Sequence, residues 1–113
     1  MKKNDNLSVE IIRYNIPQEK AQSFEKTYSN AARYLQSSPY CVGYNILKGE
    51  DEPNHYIVTI YWSSKEDHLN GFRKSDQFGS FFNLVKPFFN AIEEMKHYIE
   101  TPMTWTKDYQ KNE

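Results

Sequence analysis

Six of the seven phenylalanines in this 113-residue chain fall between residues 72 and 89. They follow directly on an alternating apolar stretch, HYIVTIYW, at residues 55–62. Period-two alternation argues for a strand; rings recurring at spacings of three and four argue for a helix. So many rings in so short a span must fill a core or line an aromatic pocket. Whatever this chain folds into has to pack a ring-rich helix on one face of a sheet.

The rest of the pattern supplies the partners. Residues 7–16, LSVEIIRYNI, read as a first strand ended by Pro17, and Pro suits the first turn of a helix. Ala21, Phe24, Tyr28, Ala31 and Leu35 mark one apolar helix face across residues 18–36. Ser37-Ser38-Pro39 breaks that helix. Residues 40–48 read as strand two, residues 49–54 as a polar turn, and residues 55–62 as strand three, paired with strand two as a hairpin. Ser63 or Ser64 is placed to cap a short helix running to Phe72, and Ser75 to cap a second one. On that second helix Phe78, Phe81, Phe82, Val85 and Phe89 share a face, and Pro87 ends or kinks it. Residues 93–100 read as strand four, with Met95, His97 and Ile99 alternating against Lys96 and Tyr98.

The order β-α-β-β-α-β is that of an α+β, ferredoxin-like fold: a four-stranded antiparallel sheet with two helices on one face. Strands one and three are apolar on both faces. Val9 and Ile11 oppose Ile12, Tyr14 and Ile16; Ile57 and Tyr61 oppose Val58, Ile60 and Trp62. Helices cover only one face, so the other calls for a partner, and a homodimer with two sheets face to face supplies it. Residues 1–6 read as a flexible N-terminus, residues 7–100 as one domain, and residues 101–113 as a tail. In that tail Trp105 is expected to be ordered and to pack on the partner or over the rim of a pocket.

Composition narrows the function classes. The net charge is −1 with both signs mixed, which points to neither nucleic acid nor an anionic membrane as partner. Cys41 is alone, so neither an intrachain disulfide nor a cysteine metal site is expected. The first residues lack a signal-peptide pattern and no apolar run is long enough to span a bilayer, so a cytoplasmic protein is expected.

Trp62 through Glu66, followed by Ser75-Asp76-Gln77-Phe78, resembles the antibiotic-biosynthesis-monooxygenase (ABM) family of dimeric α+β barrels. The resemblance extends over residues 7–100. It implies a homodimer whose sheets close into a barrel, with a small pocket between the helices and sheet of each subunit. It also implies, as one activity of the family, cofactor-independent oxidation of phenols and quinols. Haem-degrading members carry an Asn on strand one, and a Trp and a haem-binding His on the second helix. Here those positions hold Ile12, Phe72 and Phe82, which argues against haem degradation.

Oxygenation without a cofactor needs an electron-rich aromatic substrate, a base, and donors that hold the resulting anion. His68 is the expected base, against the plainer reading of a solvated histidine early in a helix. Trp62, Phe72, Phe82, Tyr44 and His97 are the expected substrate-binding set. Trp62 can equally be a strand-end core residue, and His97 a hydrogen-bonded core or interface residue. Tyr14, Tyr61 and Tyr98 offer further phenolic donors, and Arg13 and Arg73 further positive charge. No metal site is expected: Glu66, Asp67 and His68 diverge by about 100° each around a helix. No cofactor is expected either. The rival reading is a non-catalytic small-molecule-binding or stress-response dimer using the same pocket.

Overall fold

The computed structural model describes residues 7–107. The expectations for residues 1–6 and for the last six residues of the tail lie outside the described residues. Four strands, β1 (Ser8–Asn15), β2 (Cys41–Lys48), β3 (His55–Trp62) and β4 (Ile92–Tyr98), form one antiparallel sheet in the order β2-β3-β1-β4. Helices α1 (Ala21–Gln36) and α2 (Asp76–Val85) lie on one face of it. This is the ferredoxin-like α+β arrangement that the periodicities imply.

The register decides which residues meet. Ile12 pairs with Val58 on one side and Met95 on the other; Glu10 pairs with Ile60 and with His97. Even-numbered positions of β1 therefore face the helices. There Ile12, Tyr14, Val58, Ile60 and Trp62 are buried against Phe24, Tyr28 and Leu35 of α1 and Phe81 and Val85 of α2. Phe24 is the hub, with its ring 4.7–5.2 Å from those of Tyr14, Tyr28, Tyr56 and Phe88. Offset and edge-on ring pairs of this kind add to the area they bury.

Two local expectations shift, while the break at Pro87 falls as expected. Strand four ends at Tyr98 rather than residue 100, where its pairing with its sole neighbour β1 stops at Val9. The helix expected after strand three is a single π turn, Asp67–Gly71, followed by a 3₁₀ turn, Phe72–Lys74. Helix α2 stops at Val85, and a 3₁₀ stretch, Lys86–Ala91, carries Pro87 into β4. The caps fall where the serines place them: Ser64 Oγ accepts the Asp67 N–H at 2.9 Å, and Ser75 Oγ accepts the Phe78 N–H at 3.3 Å. Beyond β4, Ile99, Met103 and Trp105 are each more than three-quarters exposed within their own chain. Among the described residues, no helix is long and apolar enough to cross a membrane.

Candidate functional site

The site begins with the turn after β3. Ser63 is tied back by its N–H to the Tyr40 carbonyl, and its hydroxyl donates to Asp67 Oδ2 at 2.7 Å. The chain then winds through the π turn, in which the Phe72 N–H bonds back to Asp67. Gly71 leaves room for the Tyr40 ring, since a Cβ would lie 2.7 Å from two of its ring carbons. The wide turn directs both His68 and Phe72 into the core. Single π turns recur at functional positions.

His68 is 2% exposed and stacks flat on Trp62, ring centroids 4.2 Å apart and planes 7° from parallel. Below it, on the helix-facing side of β1, lies the buried carboxyl of Glu10. The Trp62 indole N–H donates to Glu10 Oε1 at 3.0 Å. His68 Nε2 lies 3.6 Å from the same oxygen, and His68 Nδ1 is 2.7 Å from Nε2 of His97. Glu10 and His97 are direct cross-strand partners. The result is a row, Glu10–His68–His97, leading from the core to the half-buried edge strand β4.

Burial sets the electrostatics. It raises the Glu10 carboxyl above its ordinary pKa, against the Trp62 hydrogen bond and the Arg73 charge, which pull downward. His68 is driven down to about 3, first by burial and then by Arg73 and His97. Burial also lowers His97, with Lys65 and Arg73 adding to the effect. At neutral pH His68 is therefore an uncharged imidazole. Its 3.6 Å approach to Glu10 is too long for a hydrogen bond and is not an ion pair.

Glu10, His68 and Trp62 form one wall of a cavity of about 240 Å³ between the sheet and α2. Four residues along β1, roughly 13 Å away, Tyr14 lines the same cavity together with Tyr28. Their hydroxyls share one hydrogen bond, 2.6 Å long. Burial pushes Tyr14 up to about 12 and Tyr28 well above its ordinary value, so both remain protonated. Two hydroxyls carry two protons and their mutual bond uses one, which leaves a donor for a ligand oxygen. Between these polar ends the walls are apolar, from Phe72, Phe78, Phe81, Phe82 and Met95 among others, with Arg73 also lining the space.

Of the residues expected from sequence, His68, Trp62, Phe72 and Phe82 line this cavity. His97 stands behind His68. Tyr44 stands outside: it packs on the core beside α1, and its hydroxyl accepts from Gln36 Nε2 at 2.7 Å. His55 opens β3 at the end of the β2–β3 turn, with Nδ1 3.2 Å from Glu52 Oε1. Glu10, Tyr28 and Met95 join the cavity without being expected there. Glu10 carries a signal, since it is in phase with Ile12, Tyr14 and Ile16, and a carboxyl on a buried apolar face needs a reason to be there.

A ferredoxin-like sheet with a largely aromatic cavity between it and α2 places the chain among small α+β proteins. The particular family follows from comparison. Residues 8–84 match the model of the antibiotic biosynthesis monooxygenase (ABM) family, and the chain belongs to that family. It is similar to the uncharacterized protein YczJ of Bacillus subtilis (strain 168), 25% identical over 77 residues, covering 68% of this chain and 81% of that one. Among solved structures it resembles a conserved protein from Methanosarcina mazei Go1, with a TM-score of 0.70 at 16% identity, covering 87% of this chain and 96% of the other. It also resembles a variant of SnoaB from Streptomyces nogalater, described as a cofactor-independent oxygenase. That match has a TM-score of 0.66 at 15% identity and covers 88% and 96% of the two chains.

Proposed function

We propose that this chain is a cofactor-independent monooxygenase that oxidises a small phenol- or hydroquinone-type substrate in the cavity, acting as a homodimer. The observation that carries the reading is the placement of one carboxyl, Glu10, and one imidazole, His68, on the wall of an otherwise aromatic cavity. Family membership and the oxygenase named among the structural relatives support it.

The chemistry divides among named groups. A phenolic hydroxyl lying against the Trp62–His68 wall gives its proton to Glu10. His68, the base expected from sequence, accepts a proton poorly with its pKa lowered to about 3. Glu10, shifted the other way, is the better acceptor. The phenolate, held by Arg73 and by the Tyr14–Tyr28 donor at its two ends, is electron-rich enough to reduce O₂. One oxygen atom stays on the ring, the other leaves as water, and the substrate supplies all four electrons, a phenol by becoming a quinone and a hydroquinone by becoming a hydroxyquinone. The aromatic walls keep bulk water from the anion.

Oxygen uptake with menadiol tests the proposal. The protein should exceed the autoxidation rate, and Glu10→Gln should lower that excess by about 10²-fold or more. An excess unchanged in Glu10→Gln would remove Glu10 as the base. Thermal stabilisation by menadione without any oxygen uptake would favour the plain binding module.

A further inference from the structure

The geometry points to a divalent transition-metal site formed by Glu10, His68 and His97. We infer that these three side chains hold one ion of the class that imidazole and carboxylate bind, Zn²⁺ or Fe²⁺ rather than Mg²⁺ or Ca²⁺. The inference goes beyond the oxygenase reading and does not rest on it.

The three come from separate elements, β1, the π turn and β4, and from positions up to 87 residues apart, yet one ligand atom from each lies within 4.8 Å of the others. An ion of this class sits about 2.0–2.2 Å from each nitrogen or oxygen ligand, so its ligand atoms must be within about 4.2 Å of one another. The shortfall is a fraction of an ångström, so a small side-chain movement closes the set, with the 2.7 Å His68–His97 hydrogen bond giving way to the ion. Two histidines and a carboxylate on one side of an ion form a recurrent set that leaves positions open. Here Glu10 and His68 also line the cavity, which puts the open positions toward a ligand.

Two features around the cluster fit a ligand set better than an ordinary core. The Trp62 N–H donates to Glu10 Oε1, the oxygen that lies 3.6 Å from His68 Nε2, and so orients the carboxylate toward the cluster. Hydrogen bonds of this outer kind accompany ligating carboxylates. Flat stacking on Trp62 fixes the plane of His68 without using either ring nitrogen. Arg73 puts positive charge near both histidines and Lys65 near His97, a repulsion that the ligand bonds of a bound ion have to outweigh. A bound ion would occupy Glu10 and exclude its proton-accepting role, so the loaded and metal-free proteins are distinct states.

The test uses the full chain, stripped with EDTA, desalted and titrated with Co²⁺. One equivalent should bind per chain with visible d–d absorption, and Zn²⁺ should displace it. Zn²⁺ should raise the melting temperature and Mg²⁺ should not. His97→Ala, at a half-buried position outside the cavity wall, and the isosteric Glu10→Gln should each weaken Co²⁺ binding by at least about tenfold. His55→Ala, which removes the exposed His55–Glu52 pair, should leave it unchanged. Absence of Co²⁺ binding at millimolar concentration would overturn the assignment, as would binding that survives in both folded ligand variants or is lost in His55→Ala. None of these readings depends on turnover, so a failure of the metal site is distinguishable from a failure of the oxygenase reading.

Discussion

Trp62 joins the fold to the site more than any other side chain. Its ring is fully buried, carries His68 on one face, packs 4.8 Å from Phe72, and donates its N–H to Glu10. Trp62→Ala should cost about 3–5 kcal/mol in urea unfolding, because it opens a cavity and leaves a buried carboxyl without its donor. A loss below about 1 kcal/mol would mean that neighbouring rings collapse into the space. At the far end of the cavity, Tyr14 makes a pH prediction. Its pKa moves from 10.0 to about 12 on folding, so the folded state disfavours the tyrosinate. The stability this contributes is complete below pH 10 and is lost as pH rises toward 12. Stability measured against pH should therefore fall through that window, and the fall should be shallower in Tyr14→Phe. An identical slope in the two proteins would place the alkaline loss elsewhere.

Among the elements, the two helical glycines separate packing from propensity. A Cβ added at Gly79 in α2 would meet nothing within 4 Å, so Gly79→Ala should stabilise by about 0.4–1 kcal/mol through the unfolded chain. Gly71 gains the same propensity, but its Cβ meets the Tyr40 ring at 2.7 Å, and overpacking costs about 1–3 kcal/mol. Gly71→Ala should therefore destabilise, and two substitutions alike on paper should have opposite signs in urea unfolding. Matching signs would show that the π turn or Tyr40 yields freely. The same turn marks where sequence reading stops. The four strands, both long helices, the caps at Ser64 and Ser75 and the stop near Pro87 are all carried by local periodicity and turn chemistry. Helical spacing also brings Phe82 to the cavity. Local pattern cannot show that a turn will widen by one residue and direct His68 inward. It cannot show that β4 pairs with β1 in the register that sets His97 opposite Glu10, since that depends on residues 87 positions apart. Tyr44 departs from expectation for a related reason: alternation assigns it to the helix-facing side, but not to the edge where α1, rather than the cavity, lies over it.

For the molecule as a whole, what matters is the face the helices leave bare. The register sends Ile11, Ile57, Leu47, Tyr61 and Tyr98 to the side of the sheet opposite α1 and α2. Leu47 is 54% and Tyr98 45% exposed in the single chain. A second copy packed sheet to sheet, about 10 Å away, would cover these side chains. The family to which the chain belongs adds weight to a dimer. We therefore expect equilibrium sedimentation at micromolar concentration to give a dimer. Ile57→Lys, which faces away from the cavity, should dissociate it while leaving far-UV circular dichroism unchanged. The tail extends the argument. Met103 and Trp105 are 87% and 79% exposed on their own chain, and Trp105 does not reach the cavity of that chain. If the partner receives this indole, Trp105→Ala should weaken the dimer several-fold with little effect on the stability of the dissociated chain. A wild-type chain that sediments as a folded monomer would remove both the barrel and the role of Trp105. A dimer that persists in Ile57→Lys would place the contact on a surface other than the bare face of the sheet.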